Sequence, residues 1–295
     1  MKPPPLGYSR PGSVPAALAD LASLGAGGKV LAGGQSLLPL LSMRLAAPTH
    51  LVDINRLSEL AYVSVDGGEV RVGALARHAA VLADEAARAA QPLLGQSLRW
   101  VAHAAIRNRG TVVGSLVHAD PAAELPAVLT LLAGSVRLAR ADGERLVAAR
   151  DFFLGPLESA AQPGELATEA VFPVLPPATG TAFTEVSRRQ GDYAVCGVAA
   201  LAGLDTGGRV ATARVACLSL APVPLVVDVT AAAAGSGGDA PDFSAAADLV
   251  RERVDPEPDL HATAAYRRHL AGVLAARALT EAYRHARQNW EEADA

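Results

Sequence analysis

The chain has 295 residues, of which 51% are hydrophobic, with a formal net charge of −4 and two cysteines. This length exceeds the size at which single hydrophobic cores usually stop growing, so we expect two or three domains. Scattered arginines in a chain of net negative charge argue against a nucleic-acid partner. Two cysteines are too few for a disulfide framework or an iron–sulfur cluster. No apolar run is long enough to span a bilayer.

The N-terminal part of the chain predicts a compact β-α-β-like unit. Ser13 precedes leucines at helical spacing and is a typical N-cap residue. A buried strand is predicted at 29–32, followed by a glycine turn and by a second helix capped by Ser36. A further strand at 50–54 completes the unit, which we place at residues 1–55.

Residues 56–175 predict hairpins that alternate with helices, and we expect them to form a second unit. The predicted elements are a hairpin at 62–73, helices at 77–84 and 94–105, a glycine loop that leads into a helix over 106–132, and a hairpin at 135–149. Within segment 106–132, Asp120 is expected to cap the helix, with Pro121 at the first helical position.

The last third of the chain, residues 176–295, predicts strands first and helices afterwards. The predicted elements are strands at 183–187, 194–204 and 209–220 and two closing helices, the second at about 262–289. A boundary falls in the proline-bearing stretch 172–180. Strands followed by helices favour an α+β fold over a doubly wound sheet.

Two glycine-rich loops are the main candidates for a functional site. Gly33-Gly34 and the segment from Gly110 to Gly114 each lead toward a predicted helix, and each is followed by small polar side chains. Such loops suit a diphosphate, because glycine lets backbone N–H groups approach the oxygens and helix dipoles favour negative charge. The glycines alone favour the simpler interpretation, which is ordinary tight turns. The chain lacks a GxGxxG motif, a P-loop, a GxSxG elbow and metal-ligand histidine spacing.

Longer segments resemble the FAD-binding medium subunit of the molybdenum hydroxylases, the family of carbon monoxide dehydrogenase and xanthine dehydrogenase. The segments that carry the resemblance are 29–57, 106–129, 183–200 and 259–279. The resemblance implies an α+β fold with a two-part FAD-binding domain of the vanillyl-alcohol oxidase (PCMH) type. A small C-terminal α+β domain with a three-stranded antiparallel sheet and helices would follow.

The resemblance also implies a set of FAD-binding residues and no catalytic side chain or metal site in this chain. They are Ala32, Gly33, Gly34, Gln35 and Ser36 in a first diphosphate loop, Thr111, Val112, Val113, Gly114 and Ser115 in a second, Asp120 and Glu124 facing the ribose and adenine end, Leu166 as a backbone contact to the flavin ring, and Tyr193 beside the isoalloxazine. The alternatives are helix capping for Asp120 and core packing for Tyr193.

Other residues have two interpretations. We expect a structural role for Arg107 and leave Arg109 open between cofactor phosphates and a surface ion pair. Arg188 and Arg189 are expected to serve structure or an interface. His78 occupies a family position near the flavin, although helix capping or a surface role is an equal alternative.

One position departs from the family pattern. The family usually has two glycines where this chain has Val113-Gly114. A β-branched residue resists positive φ and adds bulk beside a phosphate, so weaker FAD binding or a rebuilt turn is expected.

The implied function is that of an FAD-carrying electron-transfer subunit in a molybdopterin-dependent hydroxylase or dehydrogenase. Its partners would be a small subunit with [2Fe-2S] clusters and a large molybdopterin subunit, arranged as a dimer of heterotrimers. The N-terminus lacks the apolar stretch of a signal peptide, so a cytoplasmic location is expected. The alternatives are a stand-alone flavin oxidoreductase of the vanillyl-alcohol oxidase fold and a non-catalytic scaffold that has lost FAD.

Overall fold

A computed structural model describes residues 2–234, 236–238 and 241–293. The helices are α1 Val14–Leu24, α2 Leu37–Ser42, α3 His78–Ala83, α4 Glu85–Ala90, α5 Pro92–Leu98, α6 Ala104–Arg107, α7 Val112–His118, α8 Glu124–Leu131, α9 Ala149–Phe152, α10 Thr230–Ala233, α11 Ser244–Arg253 and α12 Ala264–Ala293. The strands are β1 Gly7–Ser9, β2 Gly28–Leu31, β3 His50–Asp53, β4 Val63–Asp66, β5 Glu69–Gly73, β6 Ser135–Arg140, β7 Gly143–Ala148, β8 Phe153–Gly155, β9 Glu158–Ser159, β10 Leu166–Pro173, β11 Thr179–Ser187, β12 Ala194–Leu204, β13 Val210–Leu218 and β14 Leu225–Asp228.

A small parallel sheet forms the N-terminal part, with the strand order β1-β3-β2. Its central strand β3 pairs with both neighbours, so His50 lies opposite Gly7 on one side and Gly28 on the other. The predicted cap at Ser13 is confirmed, because its hydroxyl accepts a hydrogen bond from the Ala16 amide at 3.3 Å. The carboxyl ends of β2 and β3 therefore lie side by side, which is where ligand sites form in parallel sheets.

An antiparallel sheet of five strands, in the order β4-β5-β10-β6-β7, forms the second layer. Both predicted hairpins are confirmed as the pairs β4–β5 and β6–β7. The predicted helix at 94–105 is wrong, because it is divided into α5 and α6. Ala102 between them has a φ of 42°, which a right-handed helix excludes. Arg107 donates to the carbonyls of Val101 and Ala102 at 2.8 and 2.9 Å, so the turn between the helices is stabilised by a side chain.

The segment predicted as one glycine loop and one helix holds two helices, α7 and α8. The prediction that Asp120 caps the second helix is wrong, because α8 begins at Glu124 and is preceded by Ala123. Asp120 instead caps a separate turn, where its carboxylate accepts from the Ala122 amide at 2.8 Å. Short polar side chains compete for nearby amides, so they stabilise turns as readily as helix ends.

The C-terminal sheet has four antiparallel strands in the order β11-β12-β13-β14, so the prediction of three strands is wrong. The additional strand β14 pairs with β13, with Leu225 opposite Cys217. Buried residues on one face of this sheet, such as Phe183 and Leu218, belong to the same hydrophobic core as the five-stranded sheet. The other face packs against α11 and α12 in a second core. The loop between β11 and β12 is thereby held over the N-terminal half.

Across the described residues, no helix combines the length and the apolar character that a membrane span requires. Cys196 and Cys217 are both buried and unpaired.

Candidate functional site

A cleft of about 440 Å³ opens between the parallel sheet, the five-stranded sheet and the loop after β11. Most of the residues that the resemblance implies line it: Ala32, Gly33, Gly34, Gln35, Ser36, Thr111, Val113, Gly114, Ser115, Asp120, Glu124, Leu166 and Tyr193. Val112 does not, since its side chain is fully buried and its amide donates to the Ala76 carbonyl at 3.3 Å.

The first loop, residues 32–36, connects the end of β2 to α2. Gly34 has a φ of +73°, a conformation that favours glycine. The Gln35 side-chain amide donates to the Gly33 carbonyl at 3.1 Å, which holds the turn closed. Ser36 precedes α2 as predicted, but its side chain makes no capping hydrogen bond, and so its hydroxyl stays available on the cleft.

The second loop, residues 108–111, connects α6 to α7, so the prediction of a loop at 111–115 is wrong for residues 112–115, which form the first turn of α7. The Thr111 hydroxyl accepts from the Gly114 amide at 3.1 Å and so caps α7. A Cβ on Gly114 would lie 2.5 Å from that hydroxyl, so glycine is needed for the cap. Val113 lies inside α7 and is not among the residues with positive φ. The expected conflict between a β-branched residue and positive φ therefore does not arise, and no turn has to be rebuilt.

The two loops are in direct backbone contact. A Cβ on Gly33 would lie 2.5 Å from the Arg109 carbonyl oxygen and 2.8 Å from the Gly110 Cα. Since real Cβ atoms essentially never approach other atoms this closely, only glycine at residue 33 allows the loops to meet. The two loops thus form one continuous wall of the cleft.

Several backbone N–H groups along this wall have no acceptor within the described part of the chain. They belong to Gly33, Gly34, Gln35 and Ser36 in the first loop and to Val113 in the first turn of α7. Backbone donors are normally paired, and groups of unpaired donors that converge on a concavity bind anions. Because α2 and α7 are short, we ascribe the anion preference to these donors and not to helix dipoles.

A hydrogen-bonded pair behind the wall links the two loops. Asn55, just after β3, donates through Nδ2 to the Ala32 carbonyl at 2.9 Å. Its Oδ1 accepts from Nη2 of Arg77 at 2.6 Å. Nη1 of Arg77 in turn donates to the Arg109 carbonyl at 2.5 Å. Asn55 therefore holds the first loop and Arg77 holds the second, while their own hydrogen bond joins the two.

One part of the cleft is acidic. Asp120 and Glu124 line it close to Tyr193, and both of their charges act on the Tyr193 hydroxyl, whose pKa is raised first by desolvation and then by these carboxylates. Burial raises the pKa of Glu124 to about 7, and the charge of Asp120 adds to this effect. The carboxylates and Tyr193 thus share one end of the cleft, although the expectation was that they would face opposite ends of an extended dinucleotide.

Glu185 on β11 extends this acidic group into the protein. Only 7% of the residue is exposed, and its Oε2 has no hydrogen-bond partner among the described residues. Burial, together with the charge of Glu124, raises the pKa of Glu185 to about 8. Glu124 lies on α8 and Glu185 on the C-terminal sheet, so the two carboxyl groups act on each other where that sheet meets α8.

Tyr193 itself is 69% exposed, so the core-packing alternative is excluded. The loop that carries it is stabilised by Arg189, which donates to Asp192 at 3.1 Å, and by Arg188, which contacts His261 at 2.8 Å. Gly191, with a φ of +85°, packs against the ring of His103. Leu166, at the start of β10, is buried and lines the cleft below this loop.

His78 lines the cleft beside the second loop, and its surface-exposed alternative is excluded because only 5% of it is exposed. Neither ring nitrogen has a hydrogen-bond partner in the described part of the protein. Burial lowers the pKa of His78 to about 4, so the imidazole is neutral at neutral pH. Arg107 has the structural role expected of it. The side chain of Arg109 is exposed, and this residue takes part through its backbone carbonyl, which accepts from Arg77.

Taken together, a glycine wall with unpaired amides, followed by an acidic end, suits an extended ligand with an anionic middle and hydroxyl groups. Two family models match the chain. The model described as the FAD binding domain in molybdopterin dehydrogenase matches residues 4–175, and the model described as the CO dehydrogenase flavoprotein C-terminal domain matches residues 181–282. This chain belongs to the FAD-binding subunits of the molybdopterin dehydrogenases.

Relatives of this FAD-binding subunit match over nearly the whole chain. It is 39% identical to the 6-hydroxypseudooxynicotine dehydrogenase complex subunit alpha of Paenarthrobacter nicotinovorans, with all of both chains covered. It is 33% identical to the carbon monoxide dehydrogenase medium chain of Afipia carboxidovorans, covering 96% of this chain and 98% of that one. A solved carbon monoxide dehydrogenase from Hydrogenophaga pseudoflava superposes with a TM-score of 0.90 at 35% identity, covering 97% of this chain and 99% of that one.

Sequence reasoning about this FAD-binding subunit missed the residues that hold the loops from behind. Asn55 lies two residues after strand β3, and a polar residue at the carboxyl end of a parallel strand is a detectable signal. Arg77 carries no such signal, because it precedes a short helix that lies far from residue 55 in the chain. Lys29 and Glu165 also line the cleft and were not expected there.

Proposed function

We propose that this subunit binds the diphosphate of FAD against the wall formed by residues 32–36, the second loop (108–111) and the first turn of α7 (112–115). The observation that carries the proposal is the backbone contact between the two loops, which aligns unpaired amide groups from both along one cleft. Ala32, Gly33, Gly34, Gln35 and Ser36 would supply amides from one side. From the other side, Val113 would supply its N–H group, and the polar lining would come from Thr111, Gly114 and Ser115. Val112 would act only through the hydrophobic core.

The remaining cleft residues are assigned to the hydroxyl-bearing parts of the ligand and to the flavin ring. Asp120 and Glu124 would accept hydrogen bonds from ligand hydroxyl groups there, because carboxylates pair well with such donors. Leu166 would contact the flavin ring through its backbone, and the exposed ring of Tyr193 would lie against the isoalloxazine. FAD, when bound, supplies the redox chemistry, while the protein binds it, orients it and restricts access to it.

The chain is the FAD-carrying electron-transfer subunit of a molybdenum hydroxylase, and its relatives are named as subunits or medium chains of dehydrogenases that act on chemically unrelated molecules. Relatives that share this chain's fold but not a substrate favour electron transfer as the common role. We further propose a dimer of heterotrimers with a [2Fe-2S] subunit and a molybdopterin subunit. We also propose a PCMH-type FAD fold with units at 1–55, 56–175 and 176–295. A cytoplasmic location completes the proposal and is supported by the two free thiols.

The two alternatives lose their support. The scaffold without FAD depended on strain at Val113, and that residue is helical. The stand-alone enzyme requires a substrate domain, whereas residues 181–282 match a flavoprotein C-terminal domain of this family.

The proposal is tested by purifying the full chain and measuring its absorption after reconstitution with FAD. We expect a bound flavin spectrum and co-purification with two partner subunits when all three are expressed together. Absence of bound flavin after reconstitution would contradict the FAD site. Turnover of an organic substrate by the isolated chain would contradict the subunit role.

A further inference from the structure

The two wall-forming loops come from different layers of the fold, so something must fix their spacing. The first loop follows a strand of the parallel sheet, whereas the second precedes α7, which packs on the five-stranded sheet. Backbone contact at Gly33 sets how closely the loops approach, but a contact does not by itself hold them together. Asn55 donates to a carbonyl of the first loop and Arg77 to a carbonyl of the second, and a hydrogen bond joins the two side chains.

We propose that Asn55 and Arg77 are positioning residues that act as one unit, the Asn55–Arg77 clasp, and set the spacing of the two diphosphate-binding loops. The inference rests on the proposed function and extends it to residues outside the cleft lining. Neither residue lines the cleft, so neither is expected to contact FAD directly.

The orientation of Asn55 is fixed by its surroundings. Nδ2 faces only acceptors, the carbonyls of Ala32 and Leu31 at 2.9 and 3.4 Å and the Asp53 carboxylate at 2.6 Å. Oδ1 faces the Arg77 guanidinium, which can only donate. The reversed amide would place donors against a donor and acceptors against acceptors, so one orientation is strongly favoured.

Asp53 anchors the clasp to the sheet. Its carboxylate also accepts from the Tyr8 hydroxyl at 2.5 Å and lies 3.5 Å from Nε of Arg10. Burial opposes its ionisation, but the hydrogen bonds from Tyr8 and Asn55 together lower the pKa of Asp53 below its usual value. A charged acceptor strengthens the hydrogen bond that holds Asn55.

Arg77 uses the geometry of its guanidinium group. One nitrogen binds Asn55 while the other binds the Arg109 carbonyl, which is the same oxygen that packs against Gly33. A lysine ammonium is a single point donor and cannot reproduce this planar pair of contacts. The chain next to Arg77 is also tied to the second loop, since the His78 amide donates to the Gly110 carbonyl at 3.0 Å. Arg77 therefore determines the position of the oxygen at the point where the loops touch.

The test uses the full chain stripped of FAD, with FAD and ADP as titrants. We expect Asn55→Ala, Arg77→Met and Arg77→Lys each to weaken FAD binding about tenfold or more, the effect of losing a charge-assisted hydrogen bond. ADP binding should weaken by the same factor, because ADP carries the diphosphate without the flavin. The double variant Asn55→Ala/Arg77→Met should bind within about threefold of the weaker single variant, since both changes break one unit.

Asn289→Ala is the matched control, because Asn289 makes the same type of contact far from the cleft, donating to the Thr179 carbonyl at 2.8 Å. It should lower the melting temperature of the FAD-free chain and leave both affinities within twofold of wild type. The inference is overturned if the clasp variants bind FAD like wild type or if Arg77→Lys retains full affinity. It is also overturned if ADP affinity is unchanged while FAD affinity falls. The same holds if the fold-losses of affinity in the two single variants multiply in the double variant.

Failure of folding in one variant does not block the test. If Arg77→Met does not fold, Asn55→Ala with both titrants still decides it, because equal losses for FAD and ADP support the clasp and unequal losses overturn it. Failure of the wild-type chain to bind either ligand would instead overturn the proposed function, and this inference with it.

Discussion

Gly33→Ala is the sharpest test of the wall formed by the two loops. The added Cβ would lie 2.5 Å from the Arg109 carbonyl oxygen, against an ordinary contact distance that starts near 3.4 Å. The neighbouring atoms are backbone, so they cannot rotate away as a flexible side chain would. The loops must therefore separate by roughly 0.9 Å, the difference between these two distances.

The energetic effect follows from this separation. Adding a methyl group to a well-packed contact typically costs about 1–3 kcal/mol. The FAD-free chain relieves this cost by letting the loops part, whereas bound diphosphate requires them together, so the cost should fall on binding. With about 1.4 kcal/mol for each factor of ten, the dissociation constant for FAD should rise roughly 5- to 150-fold. Titration of the FAD-free chain, followed by flavin fluorescence, measures it.

Gly12→Ala provides the matched control, because no atom lies within 4 Å of the Cβ that it adds and the residue is exposed. Its FAD affinity and melting temperature should match those of the wild-type chain. If Gly33→Ala bound FAD as tightly as Gly12→Ala does, the loops would not need to touch. The account of the wall as the diphosphate site would then be refuted.

Three further outcomes are expected. The pKa of folded His78 is about 4, below the ordinary value of 6.5, so its contribution to stability is present above pH 6.5 and is lost as the pH falls. Between pH 8 and pH 5, the free energy of unfolding in urea should fall by about 2 kcal/mol more for the FAD-free wild type than for His78→Leu. Equal decreases would contradict the buried neutral imidazole. The pKa of folded Glu185 is about 8, above the ordinary value of 4.5, so the free energy of unfolding falls as the pH rises from 4.5 toward 8. Glu185→Gln should reduce this fall by on the order of 3 kcal/mol. Glu252→Gln, at an exposed residue, should leave the fall unchanged. Tyr193→Ala should change the free energy of unfolding by less than about 0.5 kcal/mol, because the ring is mostly exposed, but should shift the absorption of bound flavin; an unchanged spectrum would place the ring away from the isoalloxazine.

Local sequence signals predicted many elements of the fold. Ser13 caps α1, and the glycine turn at Gly67 and Gly68 joins β4 to β5, because short-range hydrogen bonds and backbone preferences decide these features. Elements that depend on distant partners were not predictable in this way. Strand β14 forms because it pairs with β13.

The features of the candidate site also divide into those that the sequence indicates and those that only the structure shows. Its glycine loops and their polar neighbours are visible in the sequence, since only glycine allows the backbone to approach an anion or another chain segment this closely. The sequence alone therefore determined the family, the cofactor and the two loops that are proposed to bind it. Only the tertiary structure decided that the loops touch at Gly33, that Asn55 and Arg77 join them, and that Asp120 and Glu124 share an end of the cleft with Tyr193. These contacts join residues far apart in the chain, and their distances are set by how the sheets pack and not by any local preference.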